Sequence, residues 1–284
     1  MNTLTPLETL FDIGYGRDLT LPSELVKLYG HLHFPSHSGG SYVIGNFVST
    51  LDGVVTLGQP GKSGGGDISG YNQHDQMVMG LLRATADAVI VGSGTLRAAP
   101  RHLWTAQYIY PALAGAYQEL RSTLGKTQPP LNVIVTARGE INLNRPVFQS
   151  GEVPVLIVTT LQGAERIHEQ HLPPGVQVLP VQGTGVLSVH AILEAVNAVR
   201  QCDRILVEAG PQLMGDFLAE QYLNELFLTL APQIAGRDSS VERPGFVVGK
   251  LFAPEHPLWG TLISVRRAGS HLFLRYAFET HKQA

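Results

Sequence analysis

Two carboxylates stand in apolar surroundings. Asp52 interrupts NFVSTLDGVVTLG (46–58), a run of small, β-branched and apolar residues, and Glu208 ends the apolar run RILVE (204–208). A charge at the end of a buried strand is costly without a ligand or partner, so each is a candidate for bonding a polar substrate or steering a proton. Each also has a bland use. Asp52-Gly53 is a common turn dipeptide, and a buried Glu208 is satisfied by a salt bridge. Two strand-to-helix junctions have a second chemistry. After DAVIV the chain passes through Gly92-Ser93-Gly94-Thr95, and after RILVE through Ala209-Gly210-Pro211 into QLMGDFLAEQ. Pro211 suits a first helical position and Gly210 lets a ligand approach the backbone. Uncapped N–H groups at such a start attract anions, so a diphosphate-bearing cofactor is the natural occupant, although glycines also merely permit tight turns.

Other patterns fail on context. GKSGG (61–65) has the spacing of a serine hydrolase elbow, but glycines surround it where a strand and a helix are required. As a P-loop it lacks its first glycine, since that position is Thr56. GSGTLR has Arg97 where a dinucleotide fingerprint carries its third glycine. The eleven histidines offer no pair at ligand spacing, and no metal is assigned.

The elements that must position these residues alternate. YVIGNFV, DAVIVG, LNVIVT, PVLIVTT, VQVLPV and RILVE read as strands apolar on both faces, the mark of a central parallel sheet. YNQHDQMVMGLLRATA, with Ser69 as its cap, and SVHAILEAVNAVRQ, capped by Ser188, read as covering helices. PALAGAYQELRSTLG reads as a further helix ending at Gly125. LFLTLAP, FVVGKLF, TLISVRR and HLFLRYAF follow without helices, and only AGS joins the last two, which predicts an antiparallel C-terminal hairpin. The fold class is α/β, with residues 1–41 as an N-terminal extension, containing the amphipathic LPSELVKLYGHLHF, and 42–284 as the main domain.

The totals agree. With 284 residues and 44% hydrophobic content the chain can build a real core, and 20 basic against 23 acidic side chains leave a net charge of −3 with no run of either sign. Nucleic acid and membrane are poor partners. No apolar stretch reaches the roughly 18 residues of a membrane span, and MNTLTPLETLFD lacks a signal core. A cytoplasmic location is expected, and the lone Cys202 suits a reducing compartment.

STLDG (49–53), DIS before a helix ending LLRA (81–84), ADAVIVGSGTLR (86–97), ILVEAGPQLMGDFL (205–218) and LNELFLTLAPQIAG (223–236) resemble, in that order, the reductase domain of bacterial riboflavin biosynthesis. The resemblance spans about residues 42–280 and implies a dihydrofolate-reductase-like fold and an NADPH-dependent reduction of a ribosylaminopyrimidine phosphate to its ribityl form. It implies cofactor contacts at Gly92, Ser93, Gly94, Thr95, Gly210 and Leu213, beside Pro211. Thr50, Asp52, Ser69 and Glu208 match substrate-facing positions, and Asn46 stands where relatives carry a polar or basic residue. Thr136 and Arg138, after LNVIV, can meet a 2′-phosphate. With one cysteine there is no zinc-binding deaminase partner, so a stand-alone reductase is expected, pairing as a homodimer through an exposed strand edge.

One stretch departs. Relatives follow the cofactor loop with an acidic pair and then an arginine; here AAPRHLWTA puts Ala98 and Ala99 at the acids and Ala106 at the arginine. Arg83, Arg101 or His102 are the remaining groups for a substrate phosphate. The departure leaves open another pterin-like, folate-like or carbonyl substrate, or a cofactor-binding relative without turnover.

Overall fold

The structure is a computed structural model that describes residues 4–37, 39–59, 61, 64–183 and 185–280. Lys62 and Ser63 of the GKSGG stretch lie outside them. The chain runs β1 (Glu8–Asp12), β2 (Arg17–Asp18), α1 (Ser23–Tyr29), β3 (His33–Phe34), β4 (Tyr42–Ser49), α2 (Gly65–Ser69), α3 (Gln73–Thr85), β5 (Ala88–Gly92) and α4 (Ser93–Ala98). Next come α5 (Ala106–Ile109), a short 3-10 turn at Pro111–Leu113, α6 (Ala114–Thr123), β6 (Leu131–Thr136), α7 (Pro146–Gln149), β7 (Val155–Thr159), α8 (Leu161–His168) and β8 (Val176–Pro180). α9 (Val189–Val199), β9 (Arg204–Val207), α10 (Pro211–Ala219), β10 (Glu225–Leu230), β11 (Thr261–Ala268) and β12 (His271–Ala277) follow.

Ten strands form one sheet in the order β1-β11-β12-β10-β4-β9-β5-β6-β7-β8. From β10 to β8 every pairing is parallel, while β12 joins β10, and β11 joins β12, antiparallel. The expected hairpin is therefore present, and its outer strand is covered in turn by β1, paired antiparallel with β11. Successive side chains of a strand face opposite ways. On β5, Val89 and Val91 enter one core with α1 and α3, and Ala88 and Ile90 enter the other with α9 and α10. Burying Leu81, Ile192, Val196 or Phe217, none more than 1% exposed, stabilises by about 1.5–3 kcal/mol each as an upper bound. The described residues before β4 contribute to the same body, since Leu25 and Leu32 are fully buried and Asp12 pairs with Arg266 at 2.7 Å.

Two local expectations are corrected. Ser69 does not cap α3; it ends α2, and Gly70 and Tyr71, both at positive φ, break the chain before Asn72, whose side chain accepts from the backbone N–H groups of His74 and Asp75. FVVGKLF is not a strand. Both edges of β10 are already taken by β4 and β12, so this segment instead crosses α10, with Lys250 pairing Asp216 at 2.9 Å. Ser188 caps α9 as expected, accepting from the Ala191 N–H, and Gly125 follows α6 at φ 71°.

The order of the parallel block places the site. β9 lies between β4 and β5 although it follows both by more than a hundred residues. The chain therefore reverses its direction of winding at β9, and the carboxyl ends of β4, β9 and β5 open into a crevice there.

Candidate active site

The crevice is a cleft of about 1310 Å³, larger than a pocket for one drug-sized ligand. Gly92 through Thr95, Thr136, Arg138, Glu208, Gly210, Pro211 and Leu213 all line it, as do Asn46, Ser69 and Arg83. The two glycine junctions converge. A Cβ built on Gly210 would lie 3.9 Å from the Thr95 hydroxyl.

These glycines are not explained by the backbone. Gly92 and Gly210 have φ −86° and −69°, ordinary for any residue. A Cβ on Gly92 would meet no atom within 4 Å, and one on Gly94 only the Arg97 guanidinium at 3.9 Å. A Cβ at any of the three would meet no protein atom closer than 3.9 Å, and all three line the cleft, which leaves room for a ligand to lie against the backbone. Gly210 precedes α10 as an N-cap without a side-chain cap and Pro211 occupies the first turn, the kind of helix start that can take an anion. These features fit a dinucleotide. At the far end Thr136 is buried, whereas Arg138 is 77% exposed and sits 3.5 Å from Glu140.

On the cleft floor, Glu208 and Arg83 form a buried ion pair. Arg83 Nε and Nη2 both donate to Glu208 Oε2, at 3.0 and 2.6 Å, and Asn46 Nδ2 donates to Oε1 at 3.2 Å. Arg83 Nη1 donates to His102 Nε2 at 2.8 Å and to the Thr105 carbonyl at 3.2 Å. Burial first, and then the neighbouring Arg83, hold the His102 imidazole down to about 2. It is therefore neutral and accepts through Nε2, wedged against Trp104 and Tyr108. With four donor contacts made inside the protein, Arg83 is a poor free grip for phosphate. Arg101 does not line the cleft. Arg97 does, on the wall that also carries Ala98 and Ala99; it is exposed and forms no ion pair among the described residues.

Thr50 and Asp52 do not line the cleft. Gly53 donates to the Thr50 carbonyl in a tight turn, with Gly53 at φ 77°. The Asp52 carboxylate accepts from the Thr50 hydroxyl at 2.6 Å and from the Ala235 and Gly236 N–H groups at 3.1 and 2.8 Å. The Thr50 hydroxyl first, with the backbone donors, holds its carboxyl down to about 2, which makes it no source of protons. Its place is that of an anchor. It ties the start of the long 231–260 connection to the end of β4, and that connection supplies Glu242, Pro244 and Val248 to the cleft wall.

Sequence reading missed Asp75. It lines the cleft at 5% exposure, and burial pushes its carboxyl above the usual range. The signal was present, because Asp75, Met79 and Arg83 recur every four residues, which puts all three on one face of α3; all three line the cleft.

Residues 41–263 match the family model described as the RibD C-terminal domain. The chain is 24% identical over 172 residues to the riboflavin biosynthesis protein RibD of Aquifex aeolicus, a match covering 60% of this chain and 42% of that protein. It is 25% identical over 199 residues to the 2,5-diamino-6-ribosylamino-4(3H)-pyrimidinone 5′-phosphate reductase of Archaeoglobus fulgidus, covering 70% and 84%. Among solved structures, a pyrimidine reductase-like protein of Corynebacterium diphtheriae superposes with a TM-score of 0.63 at 20% identity, covering 84% of this chain and 92% of that one. RibD of Acinetobacter baumannii gives 0.62 at 21%, covering 85% and 58%. These two show a shared fold. From the agreement of the family model with the sheet order and the cleft at its switch point, the chain belongs to the RibD C-terminal domain family.

Proposed function

We propose that this chain is an NADPH-dependent reductase that converts the ribosyl group of a 5-amino-6-(5-phosphoribosylamino)uracil-type substrate to ribityl. The observation that carries the reading is the convergence of Gly92–Thr95 and Gly210 on one cleft whose floor holds Glu208, Arg83 and Asn46. When bound, the reduced nicotinamide supplies a hydride. The chain's own residues do the rest. Gly92, Ser93, Gly94, Thr95, Gly210, Pro211 and Leu213 bed the dinucleotide, and α10 directs N–H groups at its phosphates. Thr136 and Arg138 stand where a 2′-phosphate would be met. The Arg83–Glu208 pair, bonded to Asn46, presents fixed polar groups to the ring-opened sugar, and Ser69 closes the same floor. Preorganised groups of this kind lower the cost of holding reacting atoms at about 3–3.5 Å. We assign the substrate phosphate to Arg97.

A second substrate is favoured by the same wall. Ala98 and Ala99 leave it without acids, which suits another pterin-like, folate-like or carbonyl compound bearing its anion near Arg97. We further propose a homodimer joined at the edge strand β1, where Leu10 and Phe11 are 49% and 44% exposed, working in the cytoplasm. Steady-state oxidation of NADPH, and of NADH, with the deaminated and the diamino ribosylaminopyrimidine phosphates tests the assignment. Turnover with preference for NADPH is expected; saturable NADPH binding without turnover of either pyrimidine contradicts the substrate.

A further inference from the structure

Resting on the reductase reading, we propose that the carboxyl of Asp75 supplies the proton that accompanies hydride delivery. Reduction of a C=N or C=O group needs both. The hydride of the reduced nicotinamide forms the new C–H bond, the π electron pair moves to nitrogen or oxygen, and the O–H bond of Asp75 breaks to protonate that atom. The nicotinamide is left oxidised and Asp75 a carboxylate, which regains its proton from solvent once product leaves.

Asp75 is placed for this by three elements. It is the third residue of α3, a position where an acid often folds back on its own helix start. Here the helix start is capped by the Asn72 side chain, which accepts from the His74 and Asp75 N–H groups, and the Asp75 side chain faces the hydroxyls of Ser69, at the end of α2, and Thr229, on β10. It lines the cleft at 5% exposure and has no ion-pair partner among the described residues.

The charged groups around it do not favour ionisation. Arg83, two turns along α3, is neutralised by Glu208 at 2.6 Å, and Glu208 itself raises the proton affinity of Asp75. His271 on β12 would lower it if charged. Its Nε2 lies 3.0 Å from the Ser69 carbonyl, which can only accept, and its Nδ1 lies 3.2 Å from the Asn72 amide nitrogen, which can only donate. Those partners match the neutral Nε2–H tautomer. The amide is oriented because its oxygen is taken by the His74 and Asp75 N–H groups. Two carboxyls thus share one floor in opposite settings: Glu208 is paired with a guanidinium, and Asp75 is buried without one, the bonds from Ser69 and Thr229 that favour its ionised form being outweighed by that burial. Such divergence separates an acid from a charged binding group.

Asp75→Asn keeps the shape and a hydroxyl partner, so it should fold. Its kcat is expected to fall by about 10²- to 10⁴-fold, with the NADPH Kd within about threefold, and Asp75→Glu should recover part of the loss. Wild-type turnover matched by Asp75→Asn overturns the inference. A second readout needs no substrate. With a raised folded pKa, the stability linked to Asp75 is full below the unfolded value of about 3.9 and is lost as pH rises towards the folded value, because the unfolded chain ionises first. Asp75→Asn has no such loss, so its Tm should gain on wild type as pH rises above that unfolded value. Parallel Tm curves would mean an ionised Asp75 and overturn the inference. If wild type turns over neither pyrimidine, the reductase reading fails separately, and the Tm comparison still decides the state of Asp75.

Discussion

Glu208→Gln tests the cleft floor most severely. The substitution keeps the shape and one acceptor oxygen but removes the charge that faces Arg83, whose side chain is 1% exposed against 7% for Glu208. At such burial, solvent does not screen the pair. Arg83 retains its bonds to His102 and the Thr105 carbonyl, neither of which carries a compensating charge, since His102 is neutral. Breaking one partner of a buried pair costs about 3–5 kcal/mol; because Gln preserves an acceptor, the lower figure of about 3 kcal/mol is expected. That is about 160-fold in the unfolding equilibrium at about 1.36 kcal/mol per decade, or a Tm lower by about 6–12 °C for a chain of this size class. Urea titration gives the free energy if the m value is unchanged. Arg83→Met should also destabilise, and the double variant should be no worse than the worse single, with a coupling of at least about 2 kcal/mol. A loss under about 1 kcal/mol for Glu208→Gln, with additive behaviour in the cycle, would refute the view of a buried, mutually dependent pair.

Asp52→Ala should release the 231–260 connection, seen as lost hydrogen-exchange protection at Ala235 and Gly236 and a several-fold weaker hold on ligands. In wild type the sign is that of a depressed acid. The anchor is intact above the ordinary carboxyl range and is lost only as pH falls through about 2, so protection at those two amides should persist at about pH 4, a value near the ordinary carboxyl pKa. Arg97→Met should raise KM for a phosphorylated substrate at least about tenfold, or about 1.4 kcal/mol, with kcat and NADPH affinity little changed; an unchanged KM would remove Arg97 from the phosphate site.

Much of the scaffold was legible because its signals are local. The runs that became β5, β6 and β7 are apolar on both faces, as strands covered on both sides must be, and Ser188 is followed at once by the helix it caps. The convergence of the glycine junctions on one cleft was also legible, since each is written locally as a strand-glycine-helix pattern at the carboxyl end of a parallel strand. The failures share a non-local cause. Besides the nearby Thr50 hydroxyl, Asp52 bonds two backbone N–H groups 183 and 184 positions away, and nothing near it in the chain announces them. FVVGKLF has the composition of a strand, but whether a strand forms depends on a free sheet edge, and β12 had already taken it. Asp75 was overlooked for another reason. Its neighbours on the helix face were read for apolar periodicity, and a buried acid interrupts that pattern without breaking the helix.

The central claim is that the backbone at Gly94 and Gly210 touches one bound dinucleotide, and equilibrium titration of NADPH into Gly94→Val and Gly210→Val tests it directly. Neither position demands glycine for its own conformation, so both variants should keep the wild-type Tm closely enough to be compared. Each should weaken NADPH binding by at least about tenfold, or about 1.4 kcal/mol. If both bind NADPH within about twofold of wild type, the dinucleotide lies elsewhere and the account of this cleft is contradicted.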